Sequence, residues 1–70
     1  MDGLLLRYHR EKAKKTKKDM ADIIGKSENS YGKKERGEIK FSDEEKLAIS
    51  EALELDGKTF NAIFFDGNLP

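Results

Sequence analysis

Between Gly25 and Glu38 the chain reads "GKSENSYGKKERGE". A glycine opens the stretch, and Ser27 can cap a short helix that another glycine, Gly37, would end. Within that helix lie an amide, hydroxyls, lysines and glutamates, with Tyr31 as the only large apolar side chain. Tyr31 and the stem of Lys34, at i and i+3, are what it offers for burial; the rest is polar. The chemistry such a face can do is hydrogen bonding and charge recognition. Catalysis finds no support elsewhere in the chain. There is no Gly-rich phosphate loop after a strand and no nucleophile–base set. His9 is the sole histidine and reads as a helix-face residue, and there is no cysteine to hold a metal or form a disulfide. No cofactor is expected.

Seventy residues allow one small domain with a marginal core. The apolar runs "LLL" and "AIFF" are far too short to span a membrane, and no signal-peptide pattern opens the chain. A soluble, cytoplasmic protein is expected. The formal net charge is zero, but it is unevenly distributed. Residues 7–40 carry twelve Lys/Arg against six acids, whereas residues 41–70 carry two Lys against seven acids. This basic front and acidic back fit one face for a polyanion, or two sets of solvated helix faces.

The elements that must position the polar helix all read as helices, because β-branched residues are few and strict alternation is absent. The first helix runs from about Gly3 to Lys14. Leu6, Arg10 and Ala13 share a face, with Leu5 and His9 beside it. Arg10 breaks that apolar stripe, and an inward arginine needs a partner; the alternative is that it points to solvent. The second helix has Thr16 as cap and Asp19 three residues on, close to a capping box, with Met20, Ala21, Ile23 and Ile24 as its apolar side. Gly25 stops it in a left-handed conformation. The fourth helix opens with "SDEE", in which Ser42 and Glu45 form a capping box. Its stripe is Ala48, Ile49, Ala52 and Leu53, and Leu47 falls outside it. A fifth helix begins near Lys58 or Thr59 and carries Phe60, Ile63, Phe64 and Phe65, ending at "DG". The three phenylalanines cannot all face one small core. The domain is expected over 1–66, with 67–70 as a short tail.

Two helices of about eight and nine residues, joined by a short turn containing Gly, make a helix-turn-helix over residues 16–36. Ala21 falls where the two helices approach closely, and Gly25 where positive φ is needed. The stretch "TKKDMADIIGKSENSYGKKERG" resembles the Xre/Cro-like helix-turn-helix family of phage repressors and bacterial regulators. Ala21, Gly25, Ser27, Glu35, Arg36 and Gly37 match its typical pattern, and Thr16, Asp19, Met20, Asp22 and Ile24 are close replacements. The likeness extends loosely over residues 6–64. Lys26, Lys46 and the pair Gly57-Lys58 depart from the pattern.

The resemblance implies an all-α, compact five-helix, lambda-repressor-like domain that binds double-stranded operator DNA as a transcriptional regulator. It implies that Ser27, Glu28, Asn29, Gly32 and Lys33 meet the bases in the major groove. Asn29 suits an adenine edge, Lys33 guanine acceptors or a phosphate, and Glu28 a cytosine amino group. Lys17 matches a phosphate-contacting position, and Lys14, Lys15, Lys18, Lys26 and Lys40 are further phosphate candidates. The resemblance also pairs Arg10 with Glu35. Phe65 and Leu69 are candidate contacts of a homodimer on DNA. Glu28 would repel phosphates, and Gly32 offers no side chain where relatives often place a polar one. A second reading follows: a protein-binding modulator, antirepressor-like, or an antitoxin, whose partner is a repressor or a toxin.

Overall fold

The computed structural model describes residues 1–66. It contains α1 (Gly3–Lys12), α2 (Lys17–Ile24), α3 (Glu28–Glu35), α4 (Asp43–Ala52) and α5 (Gly57–Phe64). Among the described residues all regular structure is helical, and no helix is long and apolar enough to cross a membrane.

Each helix starts at a side-chain cap. Asp2, Thr16, Ser27, Ser42 and Asp56 each accept a hydrogen bond from a backbone N–H in the first turn of the following helix. These caps satisfy donors that no intrahelical carbonyl can reach. At α2 and α4 the box is complete: Asp19 and Glu45 return a carboxylate to the cap residue's own N–H. Four helices end alike. The chain turns into the left-handed region at Lys14, Gly25, Gly37 and Glu54, and the next N–H bonds back to Arg10, Ala21, Lys33 and Ser50 respectively. Glycine stands at the two ends that bound the polar helix. The other two ends use Lys and Glu.

The core is Leu6, Met20, Ala21, Tyr31, Phe41, Ile49, Ile63 and Phe64. Its aromatic members form a chain: Tyr31 to Phe41 at 6.0 Å between ring centroids, Phe41 to Phe64 at 5.9 Å, and Phe64 to Phe60 at 5.0 Å. Such spacings favour edge and tilted contacts over stacking. Phe41, outside every helix, links the back of α3 to α5. The start of α1 is tied to the far end of the chain, where the Asp2 N–H donates to the Ile63 carbonyl at 2.7 Å.

At the helix ends and the aromatic cluster the structure differs from what the sequence suggests. Ala13 is exposed, because α1 stops at Lys12 and Ala13 is its C-cap. The fifth helix starts at Gly57, since Asp56 supplies the cap that sets its first turn. Phe65 is only half-exposed, packed on Phe60 at 5.9 Å and covered by the Lys46 ammonium at 5.0 Å. Leu69 lies outside the described residues.

Candidate nucleic-acid interface

The polar helix α3 is held from behind by ions as well as by its tyrosine. Arg10 Nε donates to Glu35 Oε1 at 2.7 Å, and its Nη2 reaches Oε2 at 3.4 Å. Arg10 Nη1 donates to the Lys15 carbonyl at 2.9 Å, in the turn before α2. Tyr31 OH donates to the same Glu35 oxygen at 3.0 Å. The two charged side chains are only 7% and 5% exposed. One buried network therefore joins α1, the α1–α2 turn and α3. Burial opposes the charge on Arg10, but the Glu35 hydrogen bond and charge outweigh it and raise the guanidinium pKa. Burial first, then the Glu35 charge, push the Tyr31 hydroxyl well above its ordinary value, so it remains a donor.

A second buried pair fixes α3 to α4. Lys34 Nζ donates to Glu45 Oε1 at 2.6 Å, and that oxygen also accepts the Ser42 N–H at 2.9 Å. Glu45 thus caps its own helix and binds α3. Burial would raise its pKa, but the Lys34 hydrogen bond and the Ser42 N–H prevail and lower it. The sequence shows the cap alone, because nothing local indicates that Lys34 reaches the fourth helix.

Two close approaches complete the geometry. A Cβ on Gly3 would lie 2.2 Å from the Glu35 carbonyl oxygen, so α1 starts directly against the end of α3. A Cβ on Gly32 would lie 3.2 Å from Arg36 Nη1. Gly32 itself is buried beneath that guanidinium rather than presented outward as expected. The reason is helical: residues i and i+4 share a face, and without a side chain at 32 the Arg36 chain folds over it.

On the outward side stand Asn29 and Lys33 of α3 and Arg36, its C-cap, at i, i+4 and i+7; Arg36 Nε also donates to Glu38 Oε2. Arg36 was not among the expected site residues, although this spacing points to it. Beside α3 opens a cleft of about 750 Å³ lined on one wall by Glu28, Glu35 and Arg36 and on the other by Leu4, Arg7, Arg10 and Glu11. Its remaining wall is Lys15, Thr16, Lys17 and Lys18, where α2 begins. The free backbone N–H groups and dipole of that terminus favour an anion. Of the expected phosphate residues, Lys15, Lys17 and Lys18 line this cleft. Lys18 also pairs with Asp22 at 2.9 Å, and that hydrogen bond raises its pKa. Lys14 occupies the positive-φ position of the preceding turn. Lys26 lines a separate shallow groove between α2 and α4, and Lys40 a third, beside Phe41 and Phe65. Ser27 spends its hydroxyl on capping α3, accepting the Ser30 N–H at 3.1 Å. Glu28 is exposed at the cleft edge with Lys17 and Lys18. Among the described residues no group of three His, Asp or Glu side chains is arranged to hold a metal ion.

A polar helix clamped from behind, a preceding helix whose N-terminus faces the same cleft, and a glycine turn between them define a helix-turn-helix. A family profile described as Helix-turn-helix matches residues 6–60. The chain belongs to the Xre/Cro-like helix-turn-helix family. This is a family of DNA-binding transcription regulators. No curated protein and no solved structure matches the chain. The matched span runs from Leu6 within α1 through α4 to Phe60 in the first half of α5, and it includes both buried ion pairs.

Proposed function

We propose that this helix-turn-helix protein is a sequence-specific regulator of Cro or repressor type, encoded by a phage or mobile element. It acts in the cytoplasm by occupying an operator and blocking polymerase. The observation that carries the reading is the division of α3. Tyr31, Lys34 and Glu35 lock its inner side, and Asn29, Lys33 and Arg36 stand outward next to the cationic start of α2. A rigid helix with a polar outer stripe suits the major groove. Asn29 reads an adenine edge. Lys33 and Arg36 reach guanine acceptors or phosphates, and Glu28 accepts from a cytosine amino group. Ser27 contributes near the helix start. Gly32 leaves room for the Arg36 side chain. Lys15, Lys17 and Lys18 hold the phosphates, and Lys14, Lys26 and Lys40 add to the surrounding field. One short helix gives little affinity alone, so two copies bind, with Phe65 and Leu69 at their contact and half-sites one helical turn apart.

The test is fluorescence anisotropy with labelled duplex from the region upstream of the gene, against a scrambled duplex, at two salt concentrations. Preference for the native sequence should persist at the higher salt. Asn29→Ala or Lys33→Ala should alter sequence preference by about 1–3 kcal/mol per base contact. Lys17→Ala should weaken binding to every sequence and reduce the salt slope by about one. Loss of both effects rejects the DNA reading. The position of Glu28 among the cleft lysines, with a net charge of zero, favours the second reading in that event: an antirepressor-like modulator or antitoxin that grips a repressor or toxin.

A further inference from the structure

Among the described residues two exposed helix faces carry complementary side chains. On α1, Leu4 is 79% and Tyr8 56% exposed, one turn apart on the outer side. Arg7 and Lys12 flank them, with Lys12 Nζ 6.0 Å from the centre of the Tyr8 ring. Glu11 shares the face but is engaged by Arg7 at 3.3 Å. On α4, Leu47 is 64% exposed, with Glu44 and Glu51 exposed one turn before and after it. Beside it Ala48 and Ile23 line two shallow grooves between α2 and α4 of about 310 and 290 Å³. Neither groove shares a lining residue with the α1–α3 cleft, whereas Leu4, Arg7 and Glu11 of the α1 face also line it. The charges that flank the two faces differ in sign: Arg7 and Lys12 on α1, Glu44 and Glu51 on α4.

We propose that the α1 face of one copy docks on the α4 face of a second copy. Leu4 and Tyr8 cover Leu47, Ala48 and Ile23, and Arg7 and Lys12 meet Glu44 and Glu51. The two faces differ, so the contact is heterologous. Each copy in a pair keeps one free face of each kind, and assembly continues past the dimer. Helices of ten residues are about 15 Å long, so the contact falls below the roughly 1,600 Å² of a standard interface. The association is accordingly weak and salt-sensitive, suited to copies held side by side rather than to free dimers. It is distinct from a two-fold contact through Phe65, and it shares the Leu4 and Arg7 side of α1 with the α1–α3 cleft, so it is tested without DNA.

Sedimentation velocity without DNA tests it, on the whole chain up to about 1 mM, the range of a weak contact. Three proteins are compared: the wild type, E44K/E51K and R7E/K12E, with circular dichroism to verify that each is folded. The wild type should exceed dimer mass at low salt and shrink at high salt. Each charge-reversed variant should associate at least about tenfold more weakly, because like charges then face each other. A one-to-one mixture of the two variants restores opposite charges at both contacts and should recover the wild-type mass. Leu47→Ala, which alters no charge, should also weaken wild-type association. A wild type that stays monomeric overturns the proposal. So do variants that associate like the wild type, which would place the contact elsewhere, such as the Phe65 groove. Failure of the mixture to recover overturns it as well, since the faces would then not meet each other.

Discussion

Removing Glu35 tests how α3 is held. In Glu35→Ala the Arg10 guanidinium stays buried, loses the bonds from Nε and Nη2, and keeps only the Lys15 carbonyl. The Tyr31 hydroxyl loses its only acceptor. Stranding one member of a buried ion pair costs about 3–5 kcal/mol, and an unsatisfied buried hydroxyl about 1–3 kcal/mol. The two costs overlap, so about 3–5 kcal/mol is expected in total. At roughly 0.05–0.15 kcal/mol per residue, a domain of this size has about 3.5–10 kcal/mol of stability. At about 4–8 °C per kcal/mol, the variant should melt at least about 12 °C lower or be unfolded at 25 °C. Thermal and urea unfolding followed by far-ultraviolet circular dichroism measure this. The combination Arg10→Met, Tyr31→Phe and Glu35→Leu removes every polar side chain of the network. It should recover most of the loss, because an apolar replacement leaves no uncompensated charge. A Glu35→Ala protein melting within about 2 °C of wild type would refute the reasoning, since an ion pair that costs so little to break cannot be buried.

Three further outcomes are expected. Glu45 has a lowered pKa in the fold, so its stabilisation is fully present above the ordinary carboxylate value of 4.5 and disappears as pH falls through the folded value. Melting temperature should therefore drop as pH falls below about 4.5. Glu45→Gln should melt lower at pH 7, where Lys34 loses its counter-charge, and show a shallower fall in acid. Gly25→Ala places a side chain at φ 69° with no neighbour within 4 Å, so only backbone strain acts; calorimetry should find it about 1 kcal/mol less stable. Gly32→Ala meets only the movable end of Arg36 and gains helix propensity, so the same measurement should find it up to about 1 kcal/mol more stable.

The helix-turn-helix was legible because its signals are local. A cap at Thr16 or Ser27 and a glycine at 25 or 37 act on backbone groups within four residues, so the chain's own order reveals them. The apolar spacing of Met20, Ala21 and Ile24 likewise reports which side of the second helix turns inward. An inward Arg10 announced that a partner exists, and the family pattern suggested Glu35. The remaining determinants join residues distant in sequence. Lys34 reads as a surface lysine with a packed stem until Glu45 is brought 2.6 Å from its ammonium. Phe41 lies in a connection with no periodicity to mark it, yet it bridges Tyr31 and Phe64. Gly3 looks like an ordinary helix start, and only the approach of the Glu35 carbonyl gives its missing side chain a purpose.

Charge followed the same division. The order of charged residues along the chain determined that its front is basic and its back acidic. The tertiary structure decided which lysines work together: Lys15, Lys17 and Lys18 gather at the α1–α3 cleft, whereas Lys26 and Lys40 line other grooves. The sequence specifies where helices start, stop and turn an apolar side, because those are short-range backbone and solvation effects. Which side of one helix meets which side of another depends on packing across the whole core. Helical spacing puts Asn29, Lys33 and Arg36 on one side, and packing turned that side outward with its support buried behind it.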